Sequence, residues 1–183
     1  AGRRGPPPDM IADVFRRIRM VTIDALLHVL HVLAAVTWLG GMVFAILALH
    51  PVLVTRPIEE RIPLIVPVLR RFFILAGSSI AVLAATGAYF YFARLGVSPS
   101  LAGSRYGILM TAKFAVTLAM VLVFLRIVFR HYAAASDLAR LEQPGSVRYA
   151  EIPAHLKSLT ALVRVNLVLG TLVVLIVELA LRT

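Results

Sequence analysis

Residues 23–49, IDALLHVLHVLAAVTWLGGMVFAILAL, form the stretch that decides the fold. A helix needs about 20 mostly apolar residues to cross a hydrocarbon core of about 30 Å. This stretch exceeds that length, with one acidic residue near its start and two histidines inside it. Similar apolar stretches lie at about residues 72–92, 106–129 and 159–181. The pattern predicts an all-α fold, an integral membrane four-helix bundle.

The first 20 residues have a different pattern. AGRRGPPP at residues 1–8 is rich in proline and glycine, which is typical of irregular chain. MIADVFRRIRM at residues 10–20 alternates apolar residues with arginines, which is typical of a helix that lies on a membrane surface. We therefore expect an irregular leader and an N-terminal amphipathic interfacial helix over residues 1–20, and one bundle domain over residues 21–183.

Two of the connections between the predicted spans are long. The first, HPVLVTRPIEERIPLIVPVLRR at residues 50–71, has apolar residues that suggest a segment lying in the membrane interface. The second covers residues 131–157, and we expect it to extend the third helix beyond the bilayer until Pro144-Gly145 ends it. His155, beside Pro153, is expected in the loop that follows.

The composition of the 183-residue chain is that of a membrane protein. Hydrophobic residues make up 60% and charged residues 15%, whereas soluble chains have about 45–50% and about 25%. The net charge is +10, but the arginines lie at the borders of the spans, which favours lipid headgroups as their partners and disfavours nucleic acid. We expect a multi-pass protein in contact with the lipid bilayer, in a bacterial inner (cytoplasmic) membrane.

Because the sequence has no cysteine, disulfides, thiolate catalysis and iron–sulfur clusters are excluded.

Ionisable residues inside a span are costly and are therefore functional candidates. One group lies near the end of the bundle that we call end A, where the first predicted span starts: His28 and His31, with Asp24 one turn earlier, and Lys113 from the third span. The other group lies at the opposite end, end B, where His50 closes the first span and His131 follows the third. Both ends of the bundle are therefore predicted to present polar groups.

The chemistry that this pattern favours is the binding of haem b, one or two per chain. Imidazole is a strong axial ligand of haem iron, and facing helices in a bundle can hold the macrocycle between them. At end B, His50 and His131 come from two helices at one membrane level and could ligate both faces of one haem. Arginines are suitable partners for its propionates. The candidates are Arg70, Arg71, Arg126 and Arg130.

At end A, His28 and His31 are three residues apart on one helix and project side by side, so only one of them could ligate a given iron. The second ligand there would be Lys113, a residue of another chain, or none. The predicted metal ligands are thus one of His28 and His31, together with His50 and His131. These residues favour a b-type cytochrome, or a cytochrome-like subunit, for electron transfer through the membrane. An accessory structural subunit of a larger membrane redox or photosynthetic complex is an alternative, for which the histidines are incidental. The expected partners are other subunits of a membrane redox complex or further copies of the chain in a homo-oligomer.

Several segments resemble the copper-resistance D (CopD) superfamily. LLHVLHVLAAVTWLGGMVF is similar to its first-helix signature, in which a histidine, here His31, precedes a tryptophan, Trp38, by seven residues and a pair of small residues, Gly40-Gly41, follows. VLAATGAYF at residues 82–90 and LMTAKFAV at residues 109–116 also resemble the group. The resemblance covers about residues 25–130. It implies a four-helix core that commonly carries haem b, with His31 as ligand.

Two further functions follow from resemblance alone. A histidine after the first span, His50, and a lysine in the third, Lys113, are similar to those of HemJ-type membrane protoporphyrinogen oxidases, which implies an enzyme as one alternative. Copper transport, the activity ascribed to CopD, is another. The sequence has no cysteine and no Met-x-x-Met cluster, which argues against a copper relay.

Overall fold

The computed structural model describes residues 8–95 and 103–182, which are almost entirely helical and contain no strand. The helices are α1 (Pro8–Phe44), α2 (His50–Val54), α3 (Ile58–Leu95), α4 (Arg105–Arg126), α5 (Ala133–Leu141) and α6 (Ile152–Leu181). Two π-helical segments, Ala45–Leu49 and Ile127–Tyr132, join α1 to α2 and α4 to α5, and a 3-10 turn, Tyr149–Glu151, leads into α6.

Four continuous helical segments are long and apolar enough to cross a membrane. They are Arg16–Val54, Ile58–Ala93, Arg105–Leu141 and Tyr149–Ala180. The predicted all-α fold with four membrane helices is therefore confirmed. Helix α1 starts at Pro8 and runs without a break through the predicted interfacial segment into the first span. Residues 1–7 of the predicted leader lie outside the described residues, and the location of residues 8–20 on the membrane surface stays a prediction.

The second span starts earlier than its apolar stretch suggested. Residues 58–71, expected as an interfacial connection, are the first turns of α3, although Pro63 and Pro67 lie inside the helix. A proline removes one backbone hydrogen bond and disfavours the helix interior. Packing compensates here, because Ile62 is 1% exposed and contacts a cluster formed by α5 and the start of α6.

The second long connection lies between the third span and α6. The helical chain continues through α5 to Leu141, as predicted, and Gly145 in the following turn has φ +94, which glycine adopts without strain. Helix α6 then begins at Ile152, with Pro153 in its first turn, where a missing N–H costs nothing. His155 therefore lies in a helix and not in the predicted loop.

The core of the bundle is formed by α1 packed on α3 and by α4 packed on α6, with α1 also contacting α6. Trp38 is 3% exposed in this core and packs against its other members. Of the two adjacent glycines, Gly41 makes a close helix contact, because a Cβ there would lie 2.8 Å from Cε2 of Phe72. A Cβ at Gly40 would meet nothing within 4 Å.

Candidate functional site

The clearest polar contact between spans joins His31 of α1 to Thr86 of α3. His31 Nδ1 lies 2.7 Å from Thr86 Oγ1, and Thr86 Oγ1 lies 2.6 Å from the backbone carbonyl oxygen of Val82. Thr86 is buried and His31 is half-buried. The three groups therefore form a short chain of hydrogen bonds inside the membrane-spanning part of the bundle.

The order of these bonds fixes the tautomer of His31. A carbonyl oxygen has no proton, so the hydrogen between Val82 O and Thr86 Oγ1 is the one carried by the threonine hydroxyl. That hydroxyl has no second hydrogen, so it accepts from His31, and Nδ1 of the imidazole carries the proton. In a neutral imidazole the other nitrogen, Nε2, then has the free lone pair. Histidines that ligate metals are oriented in this way, by donating their second ring N–H to a partner.

Two further residues of α3 hold the His31 ring. The Phe90 ring meets it edge-on, with centroids 6.2 Å apart and an interplanar angle of 85°. A Cβ added at Gly87 would lie 3.5 Å from Cε1 of His31, so the glycine lets the imidazole approach the helix backbone closely. His28 also contacts Phe90 edge-on, with centroids 6.0 Å apart, but the residue is exposed. Of the two candidates at end A, His31 is thus the one with a fixed orientation.

The remaining polar groups of end A are Lys113, His28 and Asp24. Lys113, half-buried in α4, and His28 are close enough to interact with it electrostatically. Asp24 accepts a hydrogen bond of 2.7 Å from the hydroxyl of Tyr89, which ties α1 to α3 on the exposed side of the bundle. The structure therefore brings together the predicted residues His28, His31 and Lys113, and it adds Thr86 and Phe90.

At end B the two predicted histidines lie at the two π-helical segments. His50 directly follows Ala45–Leu49, and His131 lies within Ile127–Tyr132. Single π-helical turns often occur at functional sites. The groups that act electrostatically on His50 are Arg164 and Arg61. The ring that contacts His131 belongs to His155, with centroids 6.0 Å apart, and the predicted pairing of His50 with His131 across a haem stays a prediction.

The four arginines predicted to bind haem propionates are exposed, namely Arg70, Arg71, Arg126 and Arg130. Arg126 and Arg130 are close enough to His131 to interact with it electrostatically, as is His155. Over the described ranges, no group of three or more histidine, aspartate or glutamate side chains converges in a way that could hold a bare metal ion.

The sequence does not identify three contacts of the candidate histidines: Thr86, Phe90 and His155. Thr86 lies 55 positions from its partner His31, and a polar residue followed by glycine inside a span is the available signal. The sequence analysis predicts a loop at His155, whereas Pro153, which is typical of the first turn of a helix, is the signal for its position in α6.

The chain was compared with models of known protein families. The model of a family described as CopD, copper resistance protein D, matches residues 66–180, which is more than half of the chain. The match includes Thr86, Lys113 and His131 and extends through α6, whereas the segment of the first span that carried the resemblance lies before it. No similarity to HemJ-type oxidases is shown. Neither a curated protein nor a solved structure matches the chain.

Proposed function

The chain belongs to the copper resistance protein D family, and we propose that it is a b-type haem protein of the membrane that transfers electrons, with His31 as the iron ligand. The observation that carries this proposal is the chain of hydrogen bonds from His31 to Thr86 and Val82. It leaves Nε2 of an oriented, intramembrane imidazole free to bind a metal.

The donor set at end A favours haem iron over a bare ion. Closed sites for bare transition metals are built from three or four converging protein ligands, and the part of the chain that the structure describes has no such group. Haem brings the equatorial ligands with it, so the protein supplies only one or two axial ligands. A single well-oriented imidazole fits that requirement.

Each neighbour of His31 has a separate task in this proposal. Thr86 keeps the proton on Nδ1, Phe90 restricts rotation of the ring, and Gly87 leaves room for the imidazole against α3. Bound haem would supply one-electron redox chemistry. In this proposal Lys113 acts as a second ligand or balances the charge of a propionate.

The experiment compares haem content in protein purified from cells supplied with haem. We expect His31→Ala to lose the haem while His28→Ala, which removes the exposed histidine one turn away, retains it. Circular dichroism of both variants establishes that the helices are intact. Equal haem content in folded His31→Ala and wild-type protein would contradict the assignment of His31 as ligand.

Copper passage is the second candidate, and the description of the family favours it. A bare copper ion at end A would use the two histidines that flank Phe90, His28 and His31. The two functions differ in their dependence on His28. If copper is the cargo, His28→Ala and His31→Ala lower copper binding alike, and neither changes a haem band.

A further inference from the structure

We propose that His131 and His155 form a separate site at end B that binds one transition-metal ion. The site lies at the opposite end of the bundle from His31 and does not depend on haem. The ligand is a first-row ion that accepts imidazole nitrogen, with Zn²⁺ as the representative. Two histidines leave the other coordination positions of the ion to water, so this is an open site and not a closed site of three or four protein ligands, of which the described residues hold none.

The first argument is the distance between the two rings. Two imidazoles that share one ion at about 2.0–2.1 Å per nitrogen have their centroids about 5–6 Å apart. The centroids of His131 and His155 are 6.0 Å apart, with an interplanar angle of 52°. Small side-chain rotations would therefore bring one nitrogen of each ring to a shared ion.

The second argument is the state of the His131 ring. Its Nδ1 is buried and has no hydrogen-bond partner among the described residues. A buried polar atom is normally paired, and an orphaned one indicates a partner such as an ion or a water molecule. The two rings are neighbours, but His155 does not give Nδ1 of His131 a hydrogen-bond partner. An ion bound by both rings would provide that partner.

The third argument is the surroundings of His155. His155, but not His131, lines an open cleft of about 260 Å³ at end B, together with Asp137, Glu142, Glu151 and Arg148. Arg148 forms an ion pair of 3.0 Å with Glu142, and no ion pair within the described ranges involves Asp137 or Glu151. These two carboxylates give the cleft a negative wall through which a cation would enter.

Positively charged side chains also lie near the proposed site and oppose the binding of a cation. Arg126 and Arg130 interact electrostatically with His131 from its own helical segment and oppose a cation there. Both are exposed to solvent or lipid, whereas the carboxylates of Asp137, Glu142 and Glu151 line the same cleft as His155. The assignment also uses His131 in a different way from the predicted haem at end B, which paired it with His50.

The test is a titration of metal-free protein in detergent with Zn²⁺, followed by calorimetry. We expect one equivalent to bind, and His131→Ala and His155→Ala each to lower the affinity at least tenfold. Thr160→Ala is the matched control, because it removes a half-buried polar side chain of the same helix as His155 that donates its hydrogen bond to the carbonyl oxygen of Leu156, and it should bind as the wild type does.

The same titration in the His31→Ala background separates this site from the haem proposal, since that variant should still bind Zn²⁺ at end B. If His131→Ala fails to fold, His155→Gln decides the question, because His155 lies in the first turn of α6 and not in the core. Unchanged Zn²⁺ affinity in His155→Ala or His155→Gln, or no binding by the wild type, would overturn the proposal.

Discussion

Replacing Thr86 by valine tests whether its hydrogen bond orients His31 for binding iron. Valine keeps the branched shape of threonine but has no hydroxyl, so the acceptor that lies 2.7 Å from His31 Nδ1 is lost. Thr86 is 5% exposed, so water does not readily replace it. A buried donor left without its partner costs about 1–3 kcal/mol, and loss of a residue that orients a metal ligand lowers affinity about 10–100-fold. The two estimates agree, because each factor of ten corresponds to about 1.4 kcal/mol.

The assay for this variant is the transfer of haem to an excess of apomyoglobin, followed by absorbance. We expect Thr86→Val to release haem about 10–100 times faster than the wild type, in line with the loss of an orienting partner. Ser78→Ala is the matched control, since Ser78 Oγ donates an equivalent bond of 2.8 Å to Ile74 O on the same helix but contacts no histidine. Equal release rates in Thr86→Val and Ser78→Ala would refute the reasoning.

Other expectations concern packing and buried polarity, measured as thermal unfolding in detergent by circular dichroism. Gly41→Ala should destabilise the protein by about 1–3 kcal/mol, because its Cβ would lie 2.8 Å from Phe72 Cε2 and the ring must move. Gly40→Ala, with open space around its Cβ, should be neutral or stabilising, and equal effects of the two changes would disprove the contact. Asn166→Leu should keep or raise the unfolding temperature, because Asn166 is 1% exposed and its Oδ1 has no partner in the described chain. A clear fall would mean that a bound water or ligand satisfies that oxygen.

The number and type of the helices could be predicted from the sequence because the bilayer imposes a length. Each apolar stretch of about 20 residues has only one way to satisfy its backbone in lipid, as a helix. The start of α3 could not be predicted in the same way. Pro63 and Pro67 indicate a break, and only the packing of Ile62 against α5 and α6 shows why the helix continues through them.

The candidate sites likewise contain residues that could be predicted from the sequence and residues that could not. His31 could be found because a titratable residue inside a span is conspicuous. Its partner Thr86 could not, because a threonine that bonds its own helix is common and its contact with α1 arises only from tertiary packing. The contact of His155 with His131 could not be predicted for a local reason, because residues 153–155 were expected in a loop and lie in the first turn of α6.

The family assignment shows how a resemblance and a match can differ in extent. The resemblance covers about residues 25–130 and includes the first span around His31 and Trp38, whereas the family match covers residues 66–180 and includes α6. Both agree on the CopD family. The similarity to HemJ-type oxidases stays a prediction, and complementation of a strain that lacks protoporphyrinogen oxidase would test it, with Lys113→Met as the variant that should fail.

The most direct test of the central claim is the visible spectrum of the purified wild-type protein, oxidised and then reduced with dithionite, together with its haem-to-protein ratio. The claim that His31 is an iron ligand predicts a b-type difference spectrum and at least one haem per chain. Folded protein from haem-supplied cells with no absorbance beyond that of its aromatic residues would contradict it.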